Sequence, residues 1–285
     1  MSGTLSVVAT PIGNLGDLSA RAADVLRTAD LVLAEDTRHT GRLLAHVGSG
    51  VPQRSLHEHN ERERIDEVVA RLSEGAHVAL VTDAGTPLVS DPGLLLVRAC
   101  IAAGVPVVPV PGASAVLAAL VASGLPTDRV AFDGFLPRRV GARTRRLAEL
   151  ADEPRTVVLF VAPHRAATDL ADLADVCGDD RPAVLCRELT KLHEDVRRGT
   201  LGTLRDAATD GVRGELTLVV AGAPAPDVPE VDDATVVATV ETLVAEGLST
   251  RDAVARVAEE LGLRRRAVYA AVTDRRGPSD GGRRR

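Results

Sequence analysis

The 285-residue chain is 45% apolar and 26% charged, which fits a soluble globular protein long enough for two domains and a sizeable core. No stretch approaches the roughly eighteen apolar residues of a membrane span, and Met1-Ser2-Gly3-Thr4 carries no charged leader, so a cytoplasmic location is expected. A net charge of −6, taken alone, argues against a nucleic-acid partner.

The charge is unevenly placed, however. Between Arg138 and Arg146 there are five arginines and no acid, and from Arg264 to Arg285 there are eight arginines against Asp274 and Asp280. The tail therefore carries +6 and residues 1–263 carry −12, an asymmetry that suggests polyanion contact at chosen places or, more simply, a solvated face and a disordered tail. Lys191 is the one lysine, a sign of genomic base-composition bias, so the richness in arginine is not itself a mark of RNA binding. Cys100, Cys177 and Cys186 lie far apart in apolar patterns and read as buried small hydrophobes. The seven histidines form no HExxH or Cys/His arrangement, so no metal is expected.

In chain order, a strand over 5–9 is ended by Thr10-Pro11-Ile12-Gly13-Asn14-Leu15-Gly16-Asp17, a turn-rich loop before a helix beginning near Ser19. The loop has the spacing of neither a dinucleotide fingerprint nor a P-loop. A strand over 31–34 delivers Glu35-Asp36-Thr37-Arg38 to its carboxyl end, and a helix with Leu43 and Leu44 follows. Asn60, with Glu63 in the capping-box position, starts a charged amphipathic helix. The run Val78-Ala79-Leu80-Val81-Thr82 reads as a buried parallel strand leading into Asp83-Ala84-Gly85-Thr86-Pro87-Leu88-Val89-Ser90-Asp91-Pro92-Gly93. This loop is longer than most strand-to-helix connections; Gly85 and Gly93 allow close backbone approach, and Pro87 and Pro92 stiffen it. Open α/β folds bind ligands at such a strand end. Asp91 is the expected N-cap and Pro92 the first residue of a helix through Leu94, Val97, Cys100 and Ile101. A strand over 105–110 and Pro111-Gly112-Ala113-Ser114-Ala115, opening an apolar helix to Ser123, complete a mainly parallel sheet with helices on both faces.

Residues 124–127 suggest a domain boundary, so a first domain over 1–124 and a second α/β domain over 125–222 are expected, the second repeating the pattern of the first. Its strands are placed over 130–132, 156–161, 183–187 and 215–221, with the arginine-rich stretch and a helix from about Arg165 between them. A stiff proline-rich linker over 223–232 precedes a C-terminal segment over 233–276. Its two helices, over 250–260 and 264–272 across Leu261-Gly262-Leu263, read equally as a helix-turn-helix or a small capping pair. Residues 277–285 are expected to be disordered.

Several of these segments carry a family resemblance: Ala9 to Asp17, Ala34-Glu35-Asp36-Thr37-Arg38, Thr82 to Gly93, and Pro111-Gly112-Ala113-Ser114-Ala115. Gly134-Phe135-Leu136-Pro137-Arg138, Pro163-His164-Arg165, Cys186 to Glu194 and Arg213-Gly214-Glu215 continue it in order to about residue 222. Together they resemble the ribosomal small-subunit methyltransferase I family, of the tetrapyrrole-methylase superfamily. The resemblance implies two α/β domains holding S-adenosylmethionine in the cleft between them, a homodimer, and 2′-O-methylation of a cytidine ribose in the decoding region of 16S rRNA, as naked rRNA or in an assembled small subunit. It implies cofactor contacts from Pro11, Ile12, Ala84, Gly85, Thr86, Val89, Ser114, Ala115 and Val161. Val161-Ala162 departs from the pattern, standing where Glu-Ser is expected before Pro163-His164-Arg165.

Methyl transfer to a ribose hydroxyl is an in-line displacement needing no metal, helped by a base beside the hydroxyl. The candidates are Asp36, Glu35, His57, His59 and Lys191; Asp36 with Arg38 as orienting partner is preferred, with helix capping as the plainer role of that carboxylate. Arg138, Arg139, Arg165, Arg187 and Lys191 are expected to meet phosphates rather than bases. With only Phe132, Phe135, Phe160 and Tyr269 as aromatics, a stacking platform is not expected. Two other readings remain open: a tetrapyrrole methylase, whose substrate carboxylates would also suit arginines, and a ligand-sensing DNA-binding regulator using the C-terminal helices.

Overall fold

The apolar run ending at Val81 forms the middle strand of a parallel sheet, as its unbroken hydrophobic sequence requires. The computed structural model describes residues 3–209, 211–224 and 232–274. The chain divides into two compact units, Met1–Ala223 and Pro224–Arg285.

The first unit begins with β1 (Thr4–Val8), α1 (Ala20–Thr28), β2 (Leu31–Ala34), α2 (Thr37–His46), β3 (Gln53–Ser55), α3 (Glu61–Ser73), β4 (His77–Val81), α4 (Leu94–Ala102), β5 (Val107–Val110) and α5 (Ala115–Ser123). The five strands are parallel, in the order β3-β2-β4-β1-β5. Alternate residues feed two cores. Val8, Val32, Ala34, Ala79 and Val81 pack with α1 and α2, whereas Leu5, Leu31, Leu33, Val78 and Leu80 pack with α3 and α4. β3, too polar to read as a strand, adds an unforeseen edge, and β5 starts two residues after the expected strand.

Two expected caps are corrected. α4 starts at Leu94 behind Gly93, which has φ +119° and no side chain to cap with; Asp91 and Pro92 stay in the loop. The buried Glu61 carboxylate accepts the Leu96 backbone N–H at 3.0 Å, so a residue of α3 caps α4. Asn60 precedes α3 as expected, but its side chain accepts the His57 N–H at 2.8 Å and donates to Ser55, leaving no capping box with Glu63.

The rest of this unit is β6 (Val130–Phe135), α6 (Val140–Ala151), β7 (Thr156–Val161), α7 (Ala166–Cys177), β8 (Pro182–Arg187), β9 (Asp195–Thr200), α8 (Leu201–Ala207) and β10 (Leu216–Val220). Its sheet runs β6-β7-β10-β8-β9, and only β6 and β7 pair in parallel. The expected repetition of the first sheet is therefore corrected to a mixed sheet. Residues 188–194 between β8 and β9 are too few for a crossover helix, which leaves an antiparallel hairpin. Helices α6, α7 and α8 cover one face, through Leu147, Leu170 and Leu204. α5 covers the other, with Ala119 and Leu120 against Val158, Val184 and Val219, and so joins the two sheets.

The second unit packs α9 (Asp233–Ala245), α10 (Thr250–Glu260) and α11 (Arg265–Asp274) around Val236, Val240, Val254, Val257 and Val268. It has three helices rather than the expected pair, because the β-branched sequence of α9 hides its helical period. The expected disordered tail over 277–285 lies outside the described residues, as does most of the linker over 223–232. Among the described residues no helix is long and apolar enough to cross a membrane. Cys100 and Cys186 are buried and Cys177 half-buried, all as free thiols.

Candidate active site

The loops after β1 and β4 are tied together by backbone: Thr10 N–H donates to the Gly85 carbonyl at 2.8 Å, and Gly85 N–H returns the bond at 3.1 Å. The Thr10 hydroxyl also donates to the Thr82 carbonyl at 3.2 Å. The loop after β4 is held in an unusual shape. Gly85 and Gly93 adopt left-handed φ of +83° and +119°, and so do Leu88 and Ser90 at +73° and +67°, where a side chain is strained. Strain retained by two non-glycine residues in one loop is characteristic of sites that must hold a shape for a ligand.

This loop, Ile12 after β1, the start of α5, the ends of β6 and β7 and the start of β10 line a cleft of about 420 Å³. Of the residues proposed for a cofactor, Ile12, Ala84, Gly85, Thr86, Val89, Ser114, Ala115 and Val161 line it. Pro11 instead lines a second cavity of about 290 Å³, which shares Ile12, Thr82, Asp83, Ala84 and Glu215 with the first. Ser114 caps α5, its hydroxyl accepting the Leu117 N–H at 3.4 Å, and the Thr86 hydroxyl donates to the Ala113 carbonyl at 3.4 Å.

Sequence reasoning missed two features of the cleft. Three acids line it: Glu35, which accepts the Thr82 hydroxyl at 3.0 Å, with Asp83 and Asp91. Burial pushes the Asp91 carboxyl up to about 6; the Thr82 hydroxyl works against this, and the neighbouring Glu35 and Asp83 carboxylates add a smaller rise. Three of the four aromatics also converge here: Phe160 lies with its ring centroid 5.1 Å from Phe132 and 5.5 Å from Phe135, and Phe135 and Phe160 line the cleft. Spread along the sequence, neither group has a spacing to betray it. Val161-Ala162, where an acid is expected, makes an apolar part of the wall.

The preferred base stands outside both cavities. Asp36 caps α2, accepting the Arg38 N–H at 2.8 Å, and pairs with the Arg38 guanidinium at 2.7 Å; neither residue lines either cavity. That guanidinium holds the Asp36 carboxyl far below the usual carboxylate range, which makes it a poor proton acceptor. Lys191 lines the second cavity, with Nζ 2.8 Å from Glu188 and 3.2 Å from Glu215. Burial alone would lower its pKa, but the two carboxylates outweigh that and raise it, so Lys191 is a charged donor rather than a base. His57 and His59 sit edge to face 5.9 Å apart and line neither cavity.

Of the arginines, Arg138 and Arg139 are exposed and have no acidic partner among the described residues. Arg165 is 3.3 Å from Asp169 and Arg187 3.9 Å from Asp195, so both are partly engaged within the fold. Arg143 and Arg146 are ion-paired within the fold, with Asp169 and Asp172 and with Asp133 and Glu149.

The sequence profile of the family described as Tetrapyrrole (Corrin/Porphyrin) Methylases matches residues 4–205, and that of the RsmI C-terminal HTH domain matches residues 230–276. The ribosomal RNA small subunit methyltransferase I of Pseudomonas aeruginosa is 49% identical over 281 residues, 98% of this chain and 99% of that protein. Its namesake from Synechocystis is 47% identical over 268 residues, 94% of this chain and 96% of that protein. Among solved structures, uroporphyrin-III C-methyl transferase from Thermus thermophilus, complexed with S-adenyl homocysteine, is similar in fold at 21% identity and a TM-score of 0.57, covering 77% of this chain and 97% of that one.

Proposed function

Because the chain belongs to the ribosomal RNA small subunit methyltransferase I family, we propose that it transfers a methyl group from S-adenosylmethionine to the 2′-hydroxyl of a cytidine ribose in the decoding region of 16S rRNA. The observation that carries this reading is the larger cleft, in which apolar walls at the strand ends surround the carboxylates of Glu35, Asp83 and Asp91. These residues fit the cofactor. Backbone groups of Ala84, Gly85, Ser114 and Ala115 and the hydroxyl of Thr86 can bond its polar ends, while Ile12, Val89 and Val161 take its apolar surface. When bound, S-adenosylmethionine supplies a methyl group on a positively charged sulfur, a charge that three nearby carboxylates favour.

Catalysis then rests on alignment of the ribose hydroxyl and on removal of its proton. Asp83 takes the role that sequence reasoning gave to Asp36. It lines both cavities; its Oδ1 is held by the Asp36 backbone N–H at 3.1 Å, and its Oδ2 has no hydrogen bond among the described residues. Oδ2 is thus open to accept the hydroxyl proton. Arg138 and Arg139, joined by Arg165 and Arg187, contact rRNA phosphates, and the working form is a homodimer in the cytoplasm.

The test is an assay with isotope-labelled S-adenosylmethionine and unmodified small ribosomal subunits, followed by nuclease digestion and mass spectrometry of the nucleosides. Labelled 2′-O-methylcytidine is the expected product. Cofactor binding with no label in RNA would reject the reading in favour of a small-molecule substrate.

A further inference from the structure

The reading above fills the larger cleft and leaves the second cavity, of about 290 Å³, without an occupant. Its walls come from the turn after β1, through Pro11, Gly13 and Leu15, from α2, through His39, Thr40, Arg42 and Leu43, and from Lys191. It is continuous with the cleft in the sense that Asp83 and Glu215 belong to both linings. We propose that this cavity receives the target nucleoside of an RNA, swung out of its stack, with the ribose hydroxyl at Asp83 on the shared wall. The proposal rests on the methyltransferase reading of the larger cleft.

The chemistry of the walls fits that ligand in three respects. Pro11, Leu15 and Leu43 offer apolar surface to the face of a base, while Thr40 offers a hydroxyl to its edge. Arg42 and His39 are exposed and have no acidic partner among the described residues, so they are available to the phosphates on either side of an extruded nucleotide. The volume stands at the lower end of small-ligand pockets, room for one nucleoside and not for a macrocycle. Lys191 is held in place by Glu188 and Glu215, and its stem lies so close to Gly13 that any side chain there would displace it, which fixes the far wall. Drawing the nucleotide out of its stack would bring its ribose hydroxyl to the methyl group in the cleft, and a cavity sharing a wall with that cleft provides the destination.

The test uses the full-length protein and small-subunit RNA carrying pyrrolocytidine, a fluorescent cytidine analogue, at the position that mass spectrometry maps as methylated. Its emission is read with S-adenosylhomocysteine bound. Wild-type protein should raise the emission several-fold as the base unstacks. His39→Trp, a change at an exposed position of α2, should fill the cavity, abolish that rise and lower kcat/KM for the subunit by at least about 50-fold. Its affinity for S-adenosylhomocysteine should stay within about twofold of wild type by calorimetry. Arg42→Ala, which removes bulk instead of adding it, should weaken RNA binding about five- to tenfold without affecting cofactor affinity. A His39→Trp protein that matches wild type in emission and kcat/KM overturns the proposal, as does wild-type methylation without an emission change. A wild-type protein that binds no S-adenosylhomocysteine fails the underlying reading, and this assignment falls with it.

Discussion

Asp91 has its carboxyl pushed up to about 6 because burial disfavours its charge and the Glu35 and Asp83 carboxylates add to the penalty. A cation placed among the three acids favours ionisation instead. S-adenosylmethionine has a positive sulfur and S-adenosylhomocysteine does not, so the two should respond differently to pH. Between pH 5 and 7, as Asp91 ionises, the affinity for S-adenosylmethionine should strengthen by about three- to tenfold and that for S-adenosylhomocysteine by less than about twofold. Asp91→Asn should flatten the difference. Calorimetry across this range decides it, and a wild-type affinity ratio that does not move with pH would remove Asp91 from cation recognition. For folding without ligand the sign reverses. The folded pKa of about 6 exceeds the ordinary value of 3.8, so the stability associated with neutral Asp91 is fully present below about pH 4 and is lost as pH rises through 6. Asp91→Asn should therefore stabilise the free protein by about 1–2 kcal/mol at pH 7, with solvent screening allowed for, and by nothing measurable at pH 4.

Helix α4 depends on a residue that belongs to another helix. Gly93 ends the strained loop at φ +119°, and a Cβ there would come within 2.7 Å of Leu80 Cδ2, so no capping side chain can replace it. Glu61 supplies the missing acceptor from α3, and its negative charge also suits the amino end of α4. Glu61→Ala should cost about 2–3 kcal/mol in urea unfolding by leaving the Leu96 N–H buried and unpaired, whereas Glu61→Gln, which keeps an acceptor, should cost about 1 kcal/mol. Equal losses would mean that the charge rather than the hydrogen bond is what α4 needs. Such a contact joins positions 35 residues apart and leaves no local signal in the sequence, which instead suggests the plausible but wrong cap at Asp91. The elements with a local signal were legible: the apolar runs of β1, β2, β4 and β7, the starts of α1 near Ser19 and of α5 near Ala115, and the long glycine- and proline-bearing loop. β9 was not, because an edge strand need not be apolar, and its arginines suit solvent on an open edge. The site divides the same way. Loop residues could be placed from the strand ends that carry them, but that Arg38 occupies the Asp36 carboxylate while Asp83 lines both cavities is a matter of three-dimensional pairing.

At the scale of the molecule, the two sheets of the first unit are coupled by α5, whose sequence Ala-Val-Leu-Ala-Ala-Leu-Val-Ala-Ser is apolar on all sides. A helix of that kind is normally buried all round. Only one side is buried within the chain, where Ala119 and Leu120 meet the second sheet; Leu117 and Val121 are 61% and 81% exposed. Leu94 and Ile101 on α4 and Val108 on the edge strand β5 are exposed as well, so the β5 edge of the first sheet carries more bare apolar surface than a lone chain would keep. A second copy of the chain covering α5 would bury these side chains and brace Ser114 and Ala115, the residues through which α5 enters the cofactor cleft. Val121→Asp places a charge at the most exposed of these positions, where folding of the single chain makes no demand on the side chain. Light scattering after size exclusion should find the wild type at twice the chain mass and Val121→Asp at the chain mass, with a melting temperature measured at high dilution that is unchanged. The variant should also bind S-adenosylhomocysteine several-fold more weakly, because α5 has lost its brace. A wild type that is monomeric at micromolar concentration would show that α5 stands exposed in the working enzyme, and a monomeric variant with full cofactor affinity would separate assembly from the site.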